Sequence, residues 1–243
     1  MINTTLITGA GRGIGYEIAK KFATDNDKLV LIFHKKNQVK NVTEFFKKIK
    51  IKFIYYVGDL TDPKFIKKIT KEIDYVNNLI NNAAITNKDM FLDVDEKKLN
   101  KIININLKVP FVLSQIFSKK MIKKKIKGCI INLSSQLGHI GAYNRSAYCM
   151  TKFAIEGLTK ALALDLGEYG IRVNCVAPTK VIVDPKEIYK NKKNLKIIRN
   201  KTALKKFATA KQIASIVHFL TTEASESITG ASVLSDAGWV AGK

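Results

Sequence analysis

The chain has 243 residues, 46% of them hydrophobic and only four of them proline, which excludes a disordered or collagen-like polymer and leaves room for a substantial core. Its 42 basic against 20 acidic residues leave a net charge of +22, yet only four cations are arginine (Arg12, Arg145, Arg172, Arg199). Groove and phosphate readers lean on arginine forks, so no nucleic-acid partner is expected, and the Lys, Ile and Asn excess reads as A/T-rich coding. The segment MINTTLITGAG has no basic n-region, no apolar run approaches the ~20 residues that span a bilayer, and Cys129, Cys149 and Cys175 lack metal-type spacing. A cytoplasmic protein with no metal and no membrane partner is expected.

In chain order, TTLIT reads as a strand, GAGRGIG as a turn and YEIAKKFATD as a helix. KLVLIF is a second strand, VTEFFKKIK a helix, KFIYYVG a strand, and PKFIKKITKEI a helix opened by Pro63. NLINNAA is strand and loop, and one long helical region runs from Glu96 to Lys125. GCIINLSS is a strand, the segment from Ala147 to Gly170 a helix, IRVNCVAP a strand, AKQIASIVHFLTT a helix and GASVLSD a short last strand. Strands apolar on both faces, alternating with helices, predict an α/β parallel sheet covered on both sides. No repeat or flexible linker divides residues 1–243, so one domain is expected. The least regular stretch, 179–207, follows a strand end and suits a substrate loop or lid.

TGAGRGIG follows a strand and opens a helix, the context a dinucleotide fingerprint requires. Gly9 turns the chain, Gly11 and Gly13 admit a phosphate or ribose to the backbone, and Gly15 lets the helix pack on the strand. The residues ending the second strand choose the cofactor. An acid there would bind ribose hydroxyls and repel a 2′-phosphate, but the strand ends Phe33-His34-Lys35-Lys36, and Arg12 is within reach. NADP(H) is therefore favoured over NAD(H).

Together these segments resemble the short-chain dehydrogenase/reductase family along nearly the whole chain. The family's T-G-x-x-x-G-x-G is matched by Thr8 to Gly15; GDLTD, NNAA, NINL, NLSSQLG, YCMTK, IRVNCVAP and ITGASVLSDAGW match its further motifs. The resemblance implies a Rossmann-type doubly wound sheet of seven strands in the order 3-2-1-4-5-6-7. It implies cofactor contacts from Gly9, Gly11, Arg12, Gly13, Ile14, Gly15, Phe33, His34 and Lys35, with Asp59 and Leu60 at the adenine. Asn82, Ala83, Ala84, Pro178, Thr179 and Val181 follow nearer the nicotinamide. Asn106, Ser135, Tyr148 and Lys152 fall at the catalytic positions. Tyr148 would exchange the proton, Lys152 would lower its pKa and hold the nicotinamide ribose, Ser135 would orient the carbonyl, and Asn106 would support a water beside Lys152. The chain departs from the family at Ala84, Thr179, Val183 and Ala237, each replacing a usual glycine or hydroxyl.

For the substrate, Gln136, His139 and Tyr143 are candidates, while His218 and Trp239 read as packing residues, Trp239 at a subunit contact. Length and layout resemble 3-oxoacyl-[acyl-carrier-protein] reductases, and the basic run Lys119 to Lys127 would suit an acidic carrier. Tyr169 speaks against that, because carrier-docking relatives often carry a base there. SSQLGHIGAYNRSAYCMTK resembles the alcohol, polyol and sugar dehydrogenases, which stand as the alternative; a 3-oxoacyl thioester on an acyl carrier protein is the first expectation. The intact catalytic positions argue against a silent binding protein. The long helices imply a homotetramer, or a dimer as the smaller alternative.

Overall fold

The computed structural model describes residues 3–24, 27–183 and 192–242. Seven strands form one sheet: β1 (Thr4–Thr8), β2 (Lys28–Phe33), β3 (Phe53–Val57), β4 (Asn78–Asn81), β5 (Cys129–Leu133), β6 (Arg172–Pro178) and β7 (Ser232–Ser235). Every pairing is parallel and the order is β3-β2-β1-β4-β5-β6-β7, as expected. All five residues of β1 and of β5 are buried, so apolar side chains face both sides of the sheet, with Thr4, Thr5, Thr8 and Asn132 as buried polar exceptions. Helices α1 (Gly13–Ala23), α2 (Val39–Lys48) and α8 (Ala210–Phe219) cover one face, centred on Phe22, Phe33 and Phe46. Helices α3 (Pro63–Glu72), α4 (Glu96–Ile103), α5 (Val109–Lys123) and α6 (Ser146–Gly167) cover the other, with α3 and α5 packing around Leu113, Phe117 and Ile69.

Local chemistry sets the helix starts. The Asp62 carboxylate accepts from the Lys64 amide ahead of Pro63, and Asp95 accepts from the Lys98 amide. Thr209 and Gln212 form a reciprocal cap on α8. The expected continuous helix from 96 to 125 is broken by a π-helical turn at Asn104–Lys108. Pro110 supplies a reason: it has no N–H to offer the Asn106 carbonyl, so the ladder widens one turn before it.

The stretch 179–207 is more regular than expected. Val181 bridges to Ala208, and Lys192–Asn200 is a helix, α7, that buries Leu195. Its lysine- and asparagine-rich composition hid a narrow apolar edge. Residues 184–191 of the expected lid lie outside the described residues.

Candidate active site

The C-terminal ends of the strands, the glycine loop, the N-terminus of α6 and α7 surround a cleft of about 1080 Å³. It lies where the sheet order reverses direction between β1 and β4, the usual ligand position in a doubly wound sheet.

The glycine loop needs its glycines for distinct reasons. Gly9 and Gly13 hold φ of +69° and +59°, a region costly to other residues. A Cβ on Gly15 would lie 2.3 Å from the Gly9 carbonyl oxygen, so only glycine lets α1 cross the loop. Asn82 braces this turn: its Nδ2 donates to the Thr8 and Gly9 carbonyls at 2.8 and 3.2 Å. The Asn82 and Ala83 amides both donate to Thr8 Oγ1 at 3.0 Å. Ala84 lines the cleft at an ordinary backbone angle, so the missing glycine strains nothing there. Ala237 differs: it replaces a family glycine and holds φ of +55°, a strain of about 1 kcal/mol. The Asp236 carboxylate holds that turn by accepting from Gly238 and Val240 amides at 2.9 and 2.7 Å.

At the end of β2 one expectation needs correction. Phe33 is wholly buried in the core and its ring meets Tyr55 at 6.0 Å, so its side chain offers no surface to a cofactor. The exposed groups are Arg12, His34, Lys35 and Lys36. A residue missed from sequence lies among them: Gln38 Oε1 accepts from the amides of His34 and Lys35 at 3.2 and 3.1 Å, and its side chain fills the space that a Gly11 Cβ would need. Asp59 accepts from the Thr61 amide and hydroxyl at 2.8 and 2.7 Å, and these bonds hold its carboxyl below the usual range. Leu60 is buried against the α3–α5 side, leaving only its backbone for the expected adenine contact.

Ser135, Tyr148 and Lys152 meet on the cleft floor. Tyr148 and Lys152 share a face of α6, one turn apart, and Ser135 follows β5. Lys152 is 3% exposed; its Nζ donates to the Leu133 carbonyl at 2.6 Å and stands 5.6 Å from the Tyr148 ring centroid. Burial pushes its pKa down to about 8, against the opposing pull of Cys175 and Glu156. The expected lowering of the Tyr148 pKa by Lys152 is not what the structure shows. Burial raises the phenol, while the Ser135 hydrogen bond and the Arg145 charge act in the opposite direction. The reason is geometric: the Lys152 ammonium is directed at a backbone carbonyl, not at the phenolic oxygen.

Asn106 sits in the π turn, buried behind the cleft. Its Oδ1 accepts from the Ile85 amide at 2.9 Å, and its Nδ2 donates to the Ile85 carbonyl at 2.9 Å and Thr151 Oγ1 at 3.2 Å. It therefore ties the loop after β4 to α6. Gln136, Tyr143, Ile14, Pro178, Thr179 and Val181 line the cleft as expected. His139 does not: its Nε2 lies 3.1 Å from Ser232 Oγ and 3.2 Å from Glu156 Oε1, turned into the protein. His218 packs edge-on against Phe22, as read from sequence. Trp239, expected at a subunit contact, lines the cleft of the single chain. Arg145, Lys180 and Lys201 also line it and were not singled out as substrate groups. Nothing in their local sequence marks them in a chain so rich in lysine.

The residues fit a nicotinamide dinucleotide. The loop gives close backbone approach, and three buried polar atoms in the lining, Ser134 Oγ, Gln136 Oε1 and Thr179 Oγ1, have no hydrogen-bond partner. Thr179 thus offers a hydroxyl near the place where Val183 lacks one. Among the described residues no cluster of metal-ligand type occurs, and no helix is long and apolar enough to cross a membrane.

A fold and site of this kind define a nicotinamide-dependent oxidoreductase. The family model described as "Enoyl-(Acyl carrier protein) reductase" matches residues 9–240, and the chain belongs to the short-chain dehydrogenase/reductase family. It is 30% identical to Carbonyl reductase [NADPH] 2 of Sus scrofa over 237 residues, covering 97% of this chain and 96% of the relative. It is 30% identical to L-xylulose reductase of Bos taurus over 238 residues, covering 97% and 96%. It is 32% identical to 3-oxoacyl-[acyl-carrier-protein] reductase FabG of Buchnera aphidicola over 237 residues, covering 95% and 94%. The structure of 4-hydroxyisoleucine dehydrogenase complexed with NADH superposes with a TM-score of 0.93 at 29% identity, covering 99% of this chain and 100% of that one.

Proposed function

We propose that the protein interconverts a carbonyl group and a secondary alcohol on a small polar substrate, with NADP(H) preferred. The observation that carries this reading is the meeting of Ser135, Tyr148 and Lys152 on one cleft floor beside the glycine loop. The bound cofactor supplies hydride in reduction and accepts it in oxidation. Ser135 holds the substrate oxygen and Tyr148 gives it a proton during reduction, or takes one in the reverse direction. The raised pKa of Tyr148 keeps the phenol protonated before reaction, ready to donate. Lys152 holds a positive charge beneath this pair, where an oxyanion is relieved. Asn106 positions Lys152 and Tyr148 by bonding Thr151 on the same helix. Gly9, Gly13 and the α1 N-terminus would hold the pyrophosphate, and Thr179 the nicotinamide amide. Arg12, His34, Lys35 and Lys36 support the NADP(H) preference by facing solvent around the loop after β2 with no acid among them.

The substrate reading favours a sugar, polyol or related alcohol over an acyl-carrier thioester. The similarity to L-xylulose reductase supports it. The basic run Lys119 to Lys127 gives the carrier reading no support. It ends α5 at the edge where the strands begin, away from the cleft; Lys120 bonds the Thr70 and Ile73 carbonyls, and Lys124 pairs with Asp74 at 2.6 Å. The similarity to the Buchnera FabG keeps 3-oxoacyl thioesters as the second reading.

We also propose a homo-oligomer built on α5 and α6. Phe111, Met150, Phe153 and Leu164 on those helices are 47%, 46%, 48% and 84% exposed, an apolar face that a second copy would cover. A panel of polyols, sugars, diketones and 3-oxoacyl thioesters, followed by nicotinamide absorbance, tests the functional reading. Turnover of the polar alcohols or ketones is expected. Cofactor binding without turnover of any carbonyl or alcohol would overturn it.

A further inference from the structure

The cleft carries more recognition chemistry than carbonyl reduction needs. Beyond Lys152, its lining includes Arg145, Lys180 and Lys201, and none of its described lining residues is Asp or Glu. Lysine counts mean little in a chain with 42 basic residues, but arginine is scarce, only four in all, and one of the four stands here. Arg145 precedes α6 and is partly buried. Its Nη1 donates to Thr86 Oγ1 and to the Asn87 carbonyl, which aims the guanidinium and leaves its other nitrogens without a hydrogen-bond acceptor among the described residues. No carboxylate pairs with Arg145 or Lys201 among the described residues. A partly desolvated guanidinium with a free edge is matched best by a carboxylate, which it can grip through two parallel bonds. Its charge is close enough to Tyr148 to be felt by the phenol. Lys201 stands over the Trp239 ring at 5.9 Å from its centroid, adding a second cation to the lining of the same cleft. Acidic side chains are absent from the described lining, but hydrogen-bonding capacity is not. Gln136 is 7% exposed, and its Oε1 has no partner. A substrate hydroxyl, both donor and acceptor, satisfies that amide in either orientation.

We propose that the substrate is a small hydroxy acid, its carboxylate received by Arg145 and Lys201 and a neighbouring hydroxyl by Gln136. The inference rests on the oxidoreductase reading above and narrows its substrate class. The chemistry is unchanged: in reduction the carbonyl carbon of the oxo acid gains hydride from the reduced cofactor as the protonated Tyr148 gives its phenolic proton to the oxygen, and oxidation of the hydroxy acid returns both along the same path. Neither the carboxylate nor its cation partners take part in bond making. They orient the carbinol carbon over the Ser135–Tyr148 pair.

The test compares aldonic acids of four to six carbons with the corresponding alditols, which replace only the carboxylate by a hydroxymethyl group. Oxidation is followed with both oxidised cofactors. The acids are expected to show kcat/KM at least about tenfold higher, the worth of one charge-assisted contact. Arg145→Gln should collapse that ratio mainly through KM, with Arg145→Lys recovering part of it and cofactor affinity unchanged. Lys201→Gln, at an exposed position, gives a second reading if Arg145→Gln fails to fold, and should lower the ratio in the same sense. Alditols oxidised as well as the acids, or a ratio that survives both charge removals, would overturn the proposal. Faster reduction of a 3-oxoacyl thioester or a neutral ketone would overturn it too, while leaving the oxidoreductase reading intact. Failure of every alcohol and carbonyl compound would reject that reading and this proposal with it.

Discussion

Lys152 is a charge held in the core, and its cost can be measured through pH. Burial moves its pKa from 10.5 to about 8. At ~1.36 kcal/mol per pH decade, that gap corresponds to about 3 kcal/mol of stability withheld from the folded state. The sign follows from proton counting. Between about 8 and 10.5 the unfolded chain holds this proton and the folded chain has released it. Stability therefore rises with pH across that window, and the penalty is complete below it. Lys152→Met removes the titration and keeps most of the volume. It also leaves the Leu133 carbonyl without its donor, a loss of about 1–3 kcal/mol that applies at every pH and so cancels from the trend. Urea unfolding of both proteins without cofactor, at steps from neutral pH to about 10.5, is the assay. Wild type should gain on the variant by about 3 kcal/mol between the ends of the range. A flat difference would refute the reasoning and show that the ammonium is well solvated in the folded protein.

Phe33→Asp, the change a sequence argument would choose to switch the cofactor, should instead cost at least about 4 kcal/mol, because it empties a fully buried ring site and places a carboxylate there; an unchanged urea midpoint would contradict this. NADPH should bind about tenfold more tightly than NADH at low salt, with the margin shrinking as salt rises. Equal dissociation constants, or tighter NADH, would show that His34, Lys35 and Lys36 are surface composition only. Light scattering at micromolar concentration should give a multimeric mass, and Leu164→Asp combined with Phe153→Asp should reduce it; a monomeric wild type would remove the oligomer proposal.

Much of the fold was legible because parallel strands buried on both faces carry their own signature. Thr4–Thr8, Lys28–Phe33 and Cys129–Leu133 stand close to where their apolar runs put them. The glycine loop was legible for a related reason, since Gly9, Gly13 and Gly15 answer backbone demands that no other residue meets. Side-chain direction was not legible. Phe33 ends its strand pointing into the core, and His139 turns away from a cleft only a few residues from Ser135. Helix α7 was hidden because Leu195 buries a single edge in a lysine-rich segment. Arg145, Lys201 and Trp239 reach one cleft from three distant parts of the chain, and no local pattern announces a lining assembled that way.

The central claim is that Tyr148 moves the proton while the rest of the site binds and orients. Tyr148→Phe keeps the ring and its packing and removes only the hydroxyl. Its steady-state turnover on the best substrate of the panel, measured beside its cofactor dissociation constant, tests that claim most directly. The account predicts a fall of about 100-fold or more with nearly unchanged cofactor affinity. Retention of more than about a tenth of wild-type turnover, a barrier change below ~1.4 kcal/mol, would contradict it.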